Sequence, residues 1–184
     1  GMVMVGALIA NKSPVSMKDL TPVARLTGEA EVIVVPADSK LKTMKEWADA
    51  FKADPGKMSV AGGSAGGTDH ILAGMVAKAL GKTAKDVSYV AFAGGGPATA
   101  PLLGNQVACG VSGLGEFVEH IKAGKMRALA VSSDKRIPGL DVPTLKESGI
   151  DVELFNWRGV FGAPGITADQ QNALVAVVKK MVEG

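Results

Sequence analysis

Apolar residues fall into short runs separated by glycine- and proline-rich breaks, and the spacing inside each run assigns its element. Val5–Ala10 and Glu31–Val35 are dense in Val and Ile and end in turn chemistry, at Asn11–Pro14 and Pro36–Lys40, which predicts two strands. Thr43-Met-Lys-Glu46 spells a capping box. Met44, Trp47, Ala48 and Phe51 then share one helical face as far as the stop at Pro55-Gly56. Lys57–Ala61 reads as a strand and Gly62–Gly67 as a loop. Ile71, Leu72, Met75, Val76, Ala79 and Leu80 repeat at helical spacing up to Gly81.

The same strand, glycine loop and helix recur twice. Val87–Phe92, Gly94–Gly96 and Pro97–Leu103 form one such unit; Val107–Val111, Gly113–Gly115 and Glu116–Ala123 form the next, with Gly124 as its stop. Arg127–Ser132 predicts a strand and Thr144-Leu-Lys-Glu147 a short capped helix ending at Gly149. Val152–Phe155 and Gly159–Gly162 predict two further strands, flanking the polar-aromatic step Asn156-Trp157-Arg158. Thr167-Ala-Asp-Gln170 caps a last amphipathic helix with Leu174, Val177, Val178 and Met181. Alternating strands and helices imply an α/β fold with a largely parallel sheet, whose ligands sit beyond the strand carboxyl ends. All three glycine clusters fall there.

Composition narrows the classes. The 184 residues carry a formal net charge of +2, which gives no electrostatic argument for nucleic acid, and 47% hydrophobic residues exclude a disordered chain. Glycine is the outlier, 24 residues against an average near 7%, so several backbone positions need positive φ or a close approach. Cys109, alone with His70 and His120, rules out an intrachain disulfide and makes no metal-site spacing, so no zinc cluster is expected. The apolar run Met2–Ala10 lacks a basic flank and is too short to span a bilayer; it reads as a buried strand opening a fragment.

The 62–70 loop offers N–H groups, the Ser64 and Thr68 hydroxyls and a helix dipole to a carboxylate or phosphate. Its glycines equally serve a tight turn with Thr68 or Asp69 as N-cap, with Asp69 serving the dipole. Gly62-Gly-Ser64-Ala-Gly66 also fits the G-x-S-x-G elbow of α/β-hydrolases. A late histidine is missing, however, because His70 lies at a helix start and His120 inside a helix. Gly81-Lys-Thr83 lacks the upstream glycine of a P-loop, and the dinucleotide fingerprint is out of frame.

Together, Thr21-Pro-Val-Ala-Arg-Leu26, Val32-Ile-Val-Val-Pro36, Gly62-Gly-Ser-Ala-Gly-Gly-Thr-Asp-His70, Tyr89-Val-Ala-Phe-Ala-Gly-Gly-Gly96, Gly110-Val-Ser-Gly113, Ile121-Lys-Ala-Gly-Lys-Met-Arg-Ala-Leu-Ala130, Val142-Pro-Thr-Leu145 and Asn156-Trp-Arg-Gly-Val-Phe161 carry a resemblance. In that order the chain resembles the substrate-binding proteins of tripartite tricarboxylate transporters, the Bug or TctC-like extracytoplasmic solute receptors. The resemblance implies a periplasmic-binding-protein-like (type II) fold. One lobe is largely complete, with parts of the other: residues 1–22 as partial first lobe, 23–156 as second lobe, 157–184 returning to the first.

It further implies a periplasmic, non-enzymatic receptor without catalytic residues or cofactor, truncated at both ends and without its signal peptide in this chain, that captures a di- or tricarboxylate or related acid. Membrane permease subunits are its partners, and homodimerisation through the incomplete lobe is open. Matched residue by residue, the ligand loops are Ser64, Ala65, Gly66, Gly67 and Thr68 with His70 just inside the helix, then Gly94, Gly95 and Gly96, then Ser112 and Gly113. Two alternatives stay open: a hydrolase using Ser64, and a receptor fragment that no longer binds.

Overall fold

The computed structural model describes residues 2–184. Among these residues six α-helices, α1 (Met2–Ala10), α2 (Met44–Ala53), α3 (Thr68–Ala79), α4 (Gly95–Leu103), α5 (Leu114–Lys122) and α6 (Ala168–Glu183), accompany six strands. The strands are β1 (Thr21–Pro36), β2 (Val60–Gly62), β3 (Tyr89–Ala91), β4 (Cys109–Gly113), β5 (Met126–Val131) and β6 (Phe155–Gly162). The chain divides into two compact units. One is Glu29–Asn156, and the other joins the chain up to Gly28 to Trp157–Gly184.

In the larger unit the strand order is β3-β2-β4-β1-β5. The run Val32-Ile-Val-Val35 is apolar throughout because β1 is covered on both faces. Ile33 and Val35 pack with Trp47 and Phe51 of α2 and Leu72 and Val76 of α3. Val32 and Val34, one residue out of phase, pack with Leu102 of α4 and Phe117 of α5. Each such side chain taken out of water contributes about 1.5–3 kcal/mol. The Thr43 capping box forms as the sequence predicts: Glu46 N–H donates to Thr43 Oγ1 at 3.2 Å, and Thr43 N–H to Glu46 Oε2 at 3.1 Å. Arg127 reaches from β5 to the carbonyls of Ala37, Ser39 and Leu41, tying down the turn that follows β1.

The sheet is mixed, not largely parallel. β2 runs parallel to β3 and β4, whereas β1 is antiparallel to both β4 and β5. Helical crossovers force parallel neighbours only among β2, β3 and β4; β1 sits between β4 and β5 without being joined to β4 by one. Ser132, just past β5, joins two passages of the chain. Its Oγ accepts the Glu31 N–H at 2.8 Å and donates to the Leu154 carbonyl at 2.5 Å. The Ser132 N–H meanwhile donates to the Glu31 carbonyl at 2.9 Å.

Three further expectations change. Val5–Ala10, expected as a buried strand, lies in helix α1, with Ile9 73% exposed. A run apolar at every position has no period to separate helix from strand, and the Asn11 and Ser13 N–H groups close the helix on the Ala7 and Leu8 carbonyls. Thr144–Glu147 keeps its capping-box bonds but makes a turn, because Val131 bridges Thr144 and Ile150 N–H closes back on Leu145 O. Of the strands expected over Val152–Phe155 and Gly159–Gly162, Val152–Leu154 form none, and β6 runs unbroken from Phe155 to Gly162, so Asn156-Trp157-Arg158 lies within it. In the smaller unit β6 pairs with β1. There Gln171 Nε2 donates to the Pro22 carbonyl, and Trp157 packs against Phe161 at 6.1 Å between centroids.

Phe117→Ala, at a fully buried position, is expected to cost about 3–5 kcal/mol in urea unfolding. Val177→Ala on α6, 67% exposed, is expected to change stability by less than about 0.5 kcal/mol.

Candidate functional site

Because β3, β2 and β4 are parallel neighbours, their carboxyl ends share one edge of the sheet, and the three glycine segments meet there. A Cβ added at Gly63 would stand 3.7 Å from Gly94 Cα, and one added at Gly95 would strike the Ser112 hydroxyl. The first segment turns sharply at Gly66, whose φ of +79° is one that L-residues rarely adopt. Gly67 N–H donates to the Ser64 carbonyl at 2.8 Å to close the turn. Ser64 and Ala65 are exposed on its tip, whereas Gly67 and Thr68 are buried. Thr68 Oγ1 donates to Asn156 Oδ1 at 3.4 Å. Gly96 is exposed, and Gly95, Ser112 and Gly113 are buried.

His70 points back at the loop. Its Nδ1 accepts the Gly66 N–H at 3.0 Å, which requires an unprotonated Nδ1, and its ring stacks on Tyr89 at 4.2 Å. Tyr89 in turn donates to the Gly63 carbonyl at 2.8 Å. Among the described residues no hydrogen bond joins Ser64 Oγ to a histidine, so the base that a G-x-S-x-G nucleophile needs is committed to holding the turn.

Four acidic side chains, three of them unremarked in the sequence, surround the loops. Asp69 reaches back to accept the Gly63 N–H at 2.6 Å, Glu116 accepts that of Gly96 at 2.7 Å, and Glu29 accepts that of Gly115 at 2.7 Å. The N–H groups of Ser64, Ala65, Thr68, Gly94 and Gly95 make no hydrogen bond to another described residue. The fourth acid is Glu31, on β1 opposite Gly113. It has no exposed surface, and neither of its carboxyl oxygens has a hydrogen-bond partner. Burial first, then the negative charges of Asp69, Glu29 and Glu116, push its carboxyl up to about 9. Burial likewise raises Asp69, against the pull of the Gly63 N–H. A lone Glu at the head of Ala30-Glu-Val-Ile-Val-Val35 was the one sequence signal for this group. Glu29 and Glu116 carry no such signal, being ordinary polar positions at element ends.

A cavity of about 500 Å³, lined by Pro36, Lys40, Lys57, Ser59 and Asn105 among others, opens at the opposite edge of the sheet, before β2 and β4. It does not touch the glycine loops. Among the described residues no group of His, Cys, Asp and Glu is arranged to hold a metal ion, and no helix is long and apolar enough to cross a membrane.

The model of the tripartite tricarboxylate transporter family receptor, TctC, matches residues 7–183. The chain belongs to this receptor family. It is 31% identical to Protein BugT of Bordetella pertussis over 134 residues, 72% of this chain and 40% of that protein. A TctC solute-binding protein from Polaromonas superposes with a TM-score of 0.78 at 32% identity, covering 99% of this chain and 62% of that one. MatC from Rhodopseudomonas palustris with bound malate gives 0.78 at 26% identity, covering 96% and 62%. This TctC-family chain spans about half the length of the curated relatives it matches. Its fold is the mixed α/β fold of periplasmic binding proteins, and the family consists of solute receptors, not enzymes.

Gly95→Ala is expected to destabilise by about 1–3 kcal/mol, because the added methyl meets the Ser112 hydroxyl and Glu116 Oε2. Gly96→Ala, with nothing within 4 Å and a helical position, is expected to be neutral or to stabilise by up to about 1 kcal/mol. Denaturant titration of both variants reads the contrast. Glu31 keeps its proton in the folded state above the pH at which the unfolded chain loses it. Its contribution therefore favours the folded state at low pH and declines, by up to about 1.4 kcal/mol per pH unit, from near 4.5 to about 9. Glu31→Gln is expected to flatten that part of the stability profile, measured by urea unfolding from pH 5 to 9.

Proposed function

We propose that the chain is the ligand-gripping part of a periplasmic receptor that captures a small organic carboxylate for a tripartite tricarboxylate transporter. The larger unit corresponds to the second lobe and the smaller unit to parts of the first. The observation that carries this reading is the meeting of three glycine segments at one sheet edge, with the N–H groups of Ser64, Ala65, Thr68, Gly94 and Gly95 unengaged. Such donors, in a turn leading into a helix start, suit a carboxylate without any cationic side chain. The malate bound to MatC supports the ligand class.

In this reading the chain's own acids are part of the machinery. Asp69, Glu116 and Glu29 take up the N–H groups of Gly63, Gly96 and Gly115, fixing the loops while leaving the donors at their tips for the solute. Ser64 contributes a hydroxyl at the exposed tip, Thr68 and Ser112 sit behind it, and His70 holds the turn at Gly66. Permease subunits would receive the loaded receptor.

Thermal unfolding with malate, succinate, citrate and, as a control, arginine tests the proposal. A ligand at a hundred times its Kd stabilises by about 2.7 kcal/mol, so capture raises the melting temperature with one or more of the acids and not with arginine. Ser64→Ala is expected to weaken that binding about fivefold, the worth of one hydroxyl hydrogen bond of about 1 kcal/mol. No shift with any acid overturns capture by this chain.

A further inference from the structure

Glu31 is a buried acid whose backbone is fully used while its side chain is not. Its N–H and carbonyl are both engaged by Ser132, yet both carboxyl oxygens lie without a partner and out of contact with solvent. A buried polar group left unpaired costs folding free energy and calls for a partner. The titratable groups facing it are all acidic: Glu29 on its own strand, Asp69 on α3, Glu116 on α5 and the Tyr89 hydroxyl on β3. No cation faces it. Two ionised carboxylates are acceptors only and cannot satisfy each other, whereas one proton turns the pair into donor and acceptor.

We infer that Glu31 is a proton-bearing positioning residue, which donates its proton to Asp69 and so holds Asp69 on the Gly63 N–H, latching the 62–67 loop. Geometry places the latch directly behind the loop: Asp69 Oδ2 takes the Gly63 N–H, Tyr89 takes the Gly63 carbonyl, and His70 stacks on Tyr89 while bonding Gly66. The bound proton also removes one negative charge from a cluster that an anionic solute has to approach. Loss of that proton leaves Glu31 and Asp69 repelling each other without solvent between them, and loosens Gly63. That last consequence for binding rests on the receptor reading above; the assignment of the proton does not.

The test is an NMR titration of the whole chain from pH 4 to 10, following side-chain carboxyl carbons and the Gly63 amide. The Glu31 carboxyl is expected to titrate above pH 8, far from the ordinary value near 4.3, and the Gly63 amide to move with the same midpoint. Glu31→Gln is expected to abolish that movement, and Asp69→Asn to lower the Glu31 midpoint by more than one unit. Titration of Glu31 in the ordinary range, or an unchanged Gly63 profile in Glu31→Gln, overturns the inference. Should Glu31→Gln fail to fold, the wild-type and Asp69→Asn titrations decide it. Malate calorimetry at pH 7 and pH 9.5 separates the two readings. An affinity loss of about fivefold or more at pH 9.5 supports the latch acting on binding; no malate binding at either pH sinks the receptor reading and leaves the proton assignment to the titration.

Discussion

The structure depends on the burial of β1 on both faces. Val32 and Val34 on one side and Ile33 and Val35 on the other have to be removed from water together, so helices are needed in front of and behind the sheet. Of these helices α3 joins β2 to β3 and α4 joins β3 to β4, which obliges the three strands to run the same way, since a helical crossover returns the chain to its starting edge. Three strand ends and three helix starts then coincide. The glycine loops are therefore neighbours as a consequence of core formation, before any ligand enters the argument.

Much of this was written in the sequence where the pattern was local and two-valued. Capping boxes at Thr43 and Thr167, the helical repeat from Ile71 to Leu80 and the glycine breaks after each strand all name their elements, and the loop residues Ser64 to Thr68, Gly94 to Gly96 and Ser112 fall where their spacing puts them. What was not legible is non-local. Met2–Ala10 is apolar at every position, so no period distinguishes helix from strand, and the Asn11 and Ser13 bonds decide. The direction of β1 relative to β4 depends on a pairing between residues some 80 apart in sequence. The acids Glu29 and Glu116 look like surface residues until the fold brings them onto Gly115 and Gly96.

The site's chemistry is one of competition for backbone donors. Loops rich in glycine present many N–H groups, and those turned away from water need acceptors. Asp69, Glu29 and Glu116 fill that need at three points, and the charge that they bring is the cost, concentrated around Glu31. The lone thiol of Cys109 stands outside this economy. Buried in β4, it is pushed up to about 12 by its apolar surroundings and is a packing residue without reactive character.

Ser132 has a mechanical consequence. Its hydroxyl and backbone bind Glu31 on one side and Leu154 on the other, which are the last turns of road before the chain leaves the larger unit at its two exits, Glu29 and Asn156. Glu31 and Leu154, each two residues inside an exit of the larger unit, are thus hydrogen-bonded to the same serine, so loss of Ser132 would free both exits at once.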